Sequence, residues 1–235
     1  MAQTQVTHED DVAERHRNLP LGAMSRTFSL TGFTIAILSF VVSDMVNQGY
    51  DPVDETISRY VNLPHGWLVT VGLLGFAAGT AALATRTAGS GWGRGLLWLW
   101  AGCALVAAIF PADPPGNWSN PSLAESVHGV AAWVGLLALA IAIAGLTLRW
   151  RREPAWASKA RGLTVLAWAS SVAFVLFVVA MADAMAFTHT APLGLAERVL
   201  LGLYLLWLAL AATGPARIRP LAAGSEGPVT AGDRA

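Results

Sequence analysis

With 15 basic and 15 acidic residues among 235, the chain carries no charge excess that would engage nucleic acid. Cys103 is its one cysteine, so no intrachain disulfide can form. Hydrophobic side chains make up 54% of the residues and gather into six long runs, while the alternating strands of a membrane barrel are absent. That pattern predicts an all-α, integral membrane six-helix bundle.

Residues 1–26 are polar and of mixed charge, and they read as a disordered tail holding His8 and His16. The first span falls at 27–46. It is too long for a signal-peptide core and lacks a small-residue cleavage site, so it reads as retained. Ser39, Ser43 and Asn47 recur every four residues along it, with Asp44 and Gln48 beside them. Such a stripe faces protein or water rather than lipid. It serves either interhelical hydrogen bonding or the wall of an outward-opening cavity. In the connection that follows, Asp51 and Pro52 have the types that start a helix. Val53, Ile57, Tyr60 and Val61 would line one face, and Asp54, Glu55, Ser58 and Arg59 the other. That predicts a short helix on the membrane surface or over the bundle mouth.

The second span, 67–84, holds Gly75 and Gly79 as a small-xxx-small pair, with Gly72 one turn earlier. Gly95 and Gly102 mark the third span, 95–110, and also read as packing positions. The fourth, 126–148, is preceded by Ser122-Leu-Ala-Glu125, a capping-box pattern. The fifth and sixth lie at 163–185 and 195–213, making residues 27–213 the membrane domain. From 214 to 235 Gly, Pro, Ala and Ser dominate, which reads as a second disordered tail. Trp67, Trp92, Trp118, Trp150 and Trp156 lie near span ends, where indoles favour the headgroup region.

Thirteen of the fifteen basic residues fall in the two tails and the second and fourth connections; Arg59 and Arg198 are the other two. The positive-inside rule then places both termini in the cytoplasm. Asp44, Asp51, Asp54, Glu55, Asp113, Glu125, Asp183 and Glu197 gather toward the opposite, outer face.

Each outer connection runs from an Asp to a Glu: Asp44 to Glu55, Asp113 to Glu125, Asp183 to Glu197. Each also holds or adjoins one histidine, His65, His128 or His189. Imidazole and carboxylate together suit a divalent metal such as zinc, and His128, His189, Asp113 and Asp183 are the ligands that reading would use. The other reading is a polar network that orients helix ends. Glu125 and His128 form one Glu-x-x-His pair, and a di-iron bundle needs two. No haem is expected, because these histidines lie near one face rather than deep in the bilayer. An outer-facing polar pocket is expected from Asp44, Ser58, Arg59, Asp113, His128, Asp183, His189, Glu197 and Arg198. Three functions fit: a structural or accessory protein among membrane lipids, a metal-dependent hydrolase or transferase acting on lipid, or a small-solute or proton-coupled transporter. Ser58 or a metal-activated water would be the nucleophile of the second. The catalytic residues, any cofactor and the oligomeric state are not specified by these patterns.

Tyr50-Asp-Pro-Val-Asp-Glu-Thr-Ile-Ser-Arg-Tyr60, Phe110-Pro-Ala-Asp113, His128 and Leu195-Ala-Glu197-Arg198 occur in that order across residues 28–213. In this the chain resembles the prokaryotic six-span membrane family catalogued as domain of unknown function 998. The resemblance implies a prokaryotic cytoplasmic membrane, six spans and a site at the outer helix ends, and it carries no reaction.

Overall fold

The computed structural model describes residues 3–87, 91–116, 120–186 and 190–215, with 3–22 described by backbone alone. Its long helices are α1 (Gln3–Val46), α2 (Trp67–Arg86), α3 (Gly91–Ile109), α4 (Leu123–Trp150), α5 (Ala157–Ala186) and α6 (Leu193–Ala212). Short 3-10 helices span Ile57–Asn62 and Pro154–Trp156, and there is no strand among the described residues. Six segments are long and apolar enough to cross a membrane. In lipid, backbone N–H and C=O groups must bond within their own segment, which is why the apolar runs are helices.

The backbone of α1 is helical from Gln3, whereas composition alone reads an irregular tail there. Propagating an existing helix needs no new nucleus, so the span can extend into a polar sequence. The part able to cross a membrane is Ala23–Val46. Residues 216–235, including most of the second expected tail, lie outside the described residues.

Consecutive helices pack against each other, and α6 closes the bundle against α1, α2 and α4. Apolar burial does not drive helices together in lipid, so close backbone packing carries much of the association. The tightest seam joins α1 and α2. A Cβ added at Gly32 would lie 2.6 Å from the Gly75 carbonyl oxygen and 2.7 Å from Gly79 Cα. Gly72 makes room for the Phe40 ring. Gly95 and Gly102 do not share this role: a Cβ at either would meet nothing within 4 Å.

Aromatic edges continue the core from Phe33 to Phe76 and from Phe76 to Trp100, with centroids 6.4 and 4.9 Å apart. At the end rich in basic residues, Trp150 stacks on Trp156 at 4.0 Å and on Trp207 at 5.6 Å. Trp150 and Trp156 are thus buried packing residues rather than headgroup anchors, while Trp67 and Trp92 are exposed. Arg86 closes the same end by donating to the Ala212 and Gly214 carbonyls, acceptors that the terminus of α6 leaves open.

Candidate functional site

The opposite, acidic end is organised by the first connection. Asp51 Oδ1 accepts from the Val53 N–H at 2.8 Å and starts a turn that feeds the 3-10 helix Ile57–Asn62. With three residues per turn, positions i and i+3 eclipse. Ile57 and Tyr60 therefore share one side, and Thr56, Arg59 and Asn62 another. This changes the division expected from α-helical spacing. Arg59 is buried, 6% exposed, and pairs with Glu55 at 3.7 Å. Tyr60 is fully buried and donates to the Tyr50 carbonyl. Burial pushes its hydroxyl above the ordinary tyrosine range, partly offset by the nearby Arg198 charge, so it stays neutral.

This segment lies over the bundle mouth, packed on α1, α2 and α6. The Gly194 and Leu195 N–H groups donate to the Asp54 and Val53 carbonyls, so the turn caps the start of α6. Glycine is required at 194, where an added Cβ would sit 2.3 Å from the Glu55 carbonyl oxygen. One turn into α6, Arg198 closes the assembly. Its Nε and Nη2 donate to the two oxygens of Asp44 at 2.9 and 2.7 Å, and its Nη1 donates to the Glu55 and Gly194 carbonyls. The guanidinium carbon also lies 5.1 Å from the Tyr60 ring centre. One side chain thus joins α1, the first connection and α6.

The polar stripe of α1 faces protein. Ser39, Ser43 and Asn47 are buried, Asn47 donates to Ser43 Oγ, and Asn47 Oδ1 accepts the His65 N–H. His65 itself is exposed.

In the second acidic connection the capping box takes an altered form. Ser122 Oγ accepts from the Glu125 N–H as expected, but the Glu125 carboxylate accepts from the Asp113 N–H instead of reaching back to Ser122. Asp113 takes both the N–H and the hydroxyl proton of Ser122, each at 2.7 Å. His128 Nδ1 lies 3.1 Å from the Ala107 carbonyl oxygen and 2.9 Å from that of Phe110. Carbonyls only accept, so Nδ1 carries a proton and shares it between them. Glu125 and His128 are therefore a clamp on the end of α3. Asp183 plays the Asp113 part in the third connection, accepting from the Thr190 and Ala191 N–H groups. Asn62 ties the first connection to the second by donating to the Ala112 carbonyl.

Beneath the 3-10 helix lies a cavity of about 50 Å³. Its polar lining includes Ser58, Glu197, His128 and Cys103, and its walls include Phe40, Trp100 and Leu201. Glu197 accepts from the Ile57 N–H through Oε2, and Ser58 Oγ shares a hydrogen bond with Thr56 Oγ1 at 3.1 Å. The Trp100 Nε1–H is buried without an acceptor among the described residues. At a minimum of about 10–15 Å³ per water, this space admits at most roughly three to five.

Of the nine expected pocket residues, Ser58, His128 and Glu197 line this cavity. Asp44, Arg59 and Arg198 do not line it; Arg198 pairs with Asp44 and Arg59 with Glu55, the two arginines each following a lining residue in the chain. Asp113 and Asp183 instead hold the chain at or just ahead of the following helix starts, and His189 lies outside the described residues. Among the described residues no three His, Cys, Asp or Glu side chains converge as a metal site would require. Trp100, Cys103 and Ala107 were not anticipated as lining, although their helical spacing places them on one face of α3.

A family model described as "Protein of unknown function (DUF998)" matches residues 30–214. No curated protein and no solved structure matches the chain.

Proposed function

Since the chain belongs to the DUF998 family, whose description assigns no activity, we propose from its geometry that it is a structural or accessory protein of the cytoplasmic membrane. Its acidic end faces outward and holds a small ionisable pocket, and both termini are cytoplasmic. The observation that carries this reading is the engagement of the acidic-end charges in joining helices: Arg198 with Asp44 and two carbonyls, Asp113 and Asp183 with the next helix starts. A coupled transporter needs a polar path deeper in the bundle. Here the cavity is walled by Trp100, Leu136 and Leu201, with the Phe76 ring packed on Trp100. The orientation follows from the basic residues of the opposite edge.

Two measurements test this. In protein carrying Cys103→Ala, Asn120→Cys is expected to react with a membrane-impermeant maleimide in intact cells, and Arg152→Cys only after lysis. The reverse pattern would overturn the orientation. Purified protein in vesicles is expected to leave labelled phospholipids unchanged. Turnover that Ser58→Ala abolishes would replace the accessory reading with a lipid hydrolase.

A further inference from the structure

The acceptors of the cavity residues, beside the one unpartnered donor Trp100 Nε1–H, define the chemistry it would accept. Glu197 Oε2 is engaged by the Ile57 N–H, which leaves Oε1 without a partner among the described residues. His128 donates through Nδ1, so in the neutral ring Nε2 carries a lone pair and no proton. Ser58 Oγ adds a third acceptor, bonded among the described residues to Thr56 Oγ1 alone. Phe40 and Trp100 supply aromatic walls.

Charge points the same way. Arg198 pairs with Asp44 and Arg59 with Glu55, whereas Glu197 makes no ion pair among the described residues. Among Asp44, Glu55, Glu197, Arg59 and Arg198 the carboxyl groups outnumber the guanidiniums by one, and Glu197, on the cavity wall, is the one left over. Asp51 and Asp54, exposed nearby, add only negative charge. A carboxylate with a single hydrogen bond beside apolar walls is costly, and either a bound proton or a cation relieves that cost. A bare hard cation would find too few oxygens, since such ions take six or more.

Resting on the pocket reading above, we propose that this cavity binds a primary ammonium group on a short stem. Three N–H donors would meet Glu197 Oε1, His128 Nε2 and Ser58 Oγ, and the Phe40 and Trp100 rings in the lining offer aromatic surface to a cation. A volume of about 50 Å³ admits an ammonium with one or two carbons and excludes a whole lipid. The group can arrive on a free amine or as the headgroup of an aminolipid in the outer leaflet.

The full chain is reconstituted in phosphatidylcholine vesicles and titrated with ethylammonium at constant ionic strength, following the unfolding midpoint and tryptophan fluorescence. Saturable binding is expected, weakened at least tenfold in Glu197→Gln. Glutamine keeps an oxygen for the Ile57 N–H, and the Arg198–Asp44 fork is untouched, so this variant folds. Tetramethylammonium, which has no N–H donor, is expected not to bind. Phosphatidylethanolamine in the vesicles competes if the headgroup is the source and does not if a free amine is. No saturable binding of ethylammonium, equal binding by Glu197→Gln, or equal binding of tetramethylammonium would overturn the proposal. The pocket reading fails separately, through inverted maleimide labelling or Ser58-dependent lipid turnover.

Discussion

Arg198→Ala is expected to destabilise the folded bundle by about 3 kcal/mol, near the lower bound for removing one partner of a buried ion pair. Two features set that size. The pair is only partly shielded, with Arg198 15% and Asp44 27% exposed, which lowers the value. Against this, alanine also leaves the Glu55 carbonyl without the donor it has now. Asp44→Asn should cost less, about 1–2 kcal/mol, because an amide still accepts a hydrogen bond and the carbonyl contacts persist. Arg198→Lys should resemble alanine more than arginine, since a point charge cannot span both Asp44 oxygens and two carbonyls at once. The exchanged pair, Asp44→Arg with Arg198→Asp, should not recover the loss, because the first connection would face a carboxylate instead of a donor. Denaturant unfolding in vesicles measures each variant, with Arg149→Ala as the reference for an exposed pair, Arg149 and Glu153 each being 40% exposed. An Arg198→Ala loss no larger than that of Arg149→Ala would show that the acidic end is held by other contacts.

The limits of what is legible in the residues follow from the same physics. Spans are readable because lipid forces each crossing to satisfy its own backbone, so about 20 apolar residues must run together. Loop charge likewise reads directly. Pairing is different. Asp44 is visibly a carboxylate at a span end, but its partner lies 154 residues away, and no local period connects them. Asp113 and Asp183 have the same position in the pattern and yet bond the chain leading into the next helix, because their connections supply backbone N–H groups within nine residues. α-Helical spacing sets Arg59 on the face opposite Ile57 and Tyr60, whereas the 3-10 turn buries it alongside them. His128 invites a metal reading by type alone. Its Nδ1 is committed to two carbonyls only because α3 and α4 pack with the end of one beside the start of the other.

Glycine spacing shows the same boundary and leads to the second large effect. Gly95 and Gly102 lie seven residues apart, two helical turns, and so share a face as clearly as Gly75 and Gly79 do. Spacing identifies a face and is silent on what that face meets. The decisive glycine of the α1–α2 seam, Gly32, has no glycine partner within the spanning part of its helix, Ala23–Val46, and is identified as a packing residue only by its neighbours. Gly32→Val is expected to destabilise by about 3 kcal/mol or to abolish folding, the upper range for overpacking. The atoms its Cβ would strike are the Gly75 oxygen and the Gly79 N and Cα, all backbone, so no rotamer change relieves the clash and the helices must part. Separation would also pull Phe40 from the space above Gly72 and carry Asp44, farther along α1, away from Arg198. Gly102→Val should stay within about 0.5 kcal/mol, because its Cβ enters open space and valine is a better helix residue than glycine. The two variants introduce the same side chain into spanning helices, so hydrophobicity and expression burden are matched. Their folded fractions, measured by size exclusion in mild detergent and by denaturant unfolding, should therefore differ through packing alone. Equal behaviour would mean that α1 and α2 do not meet at Gly32.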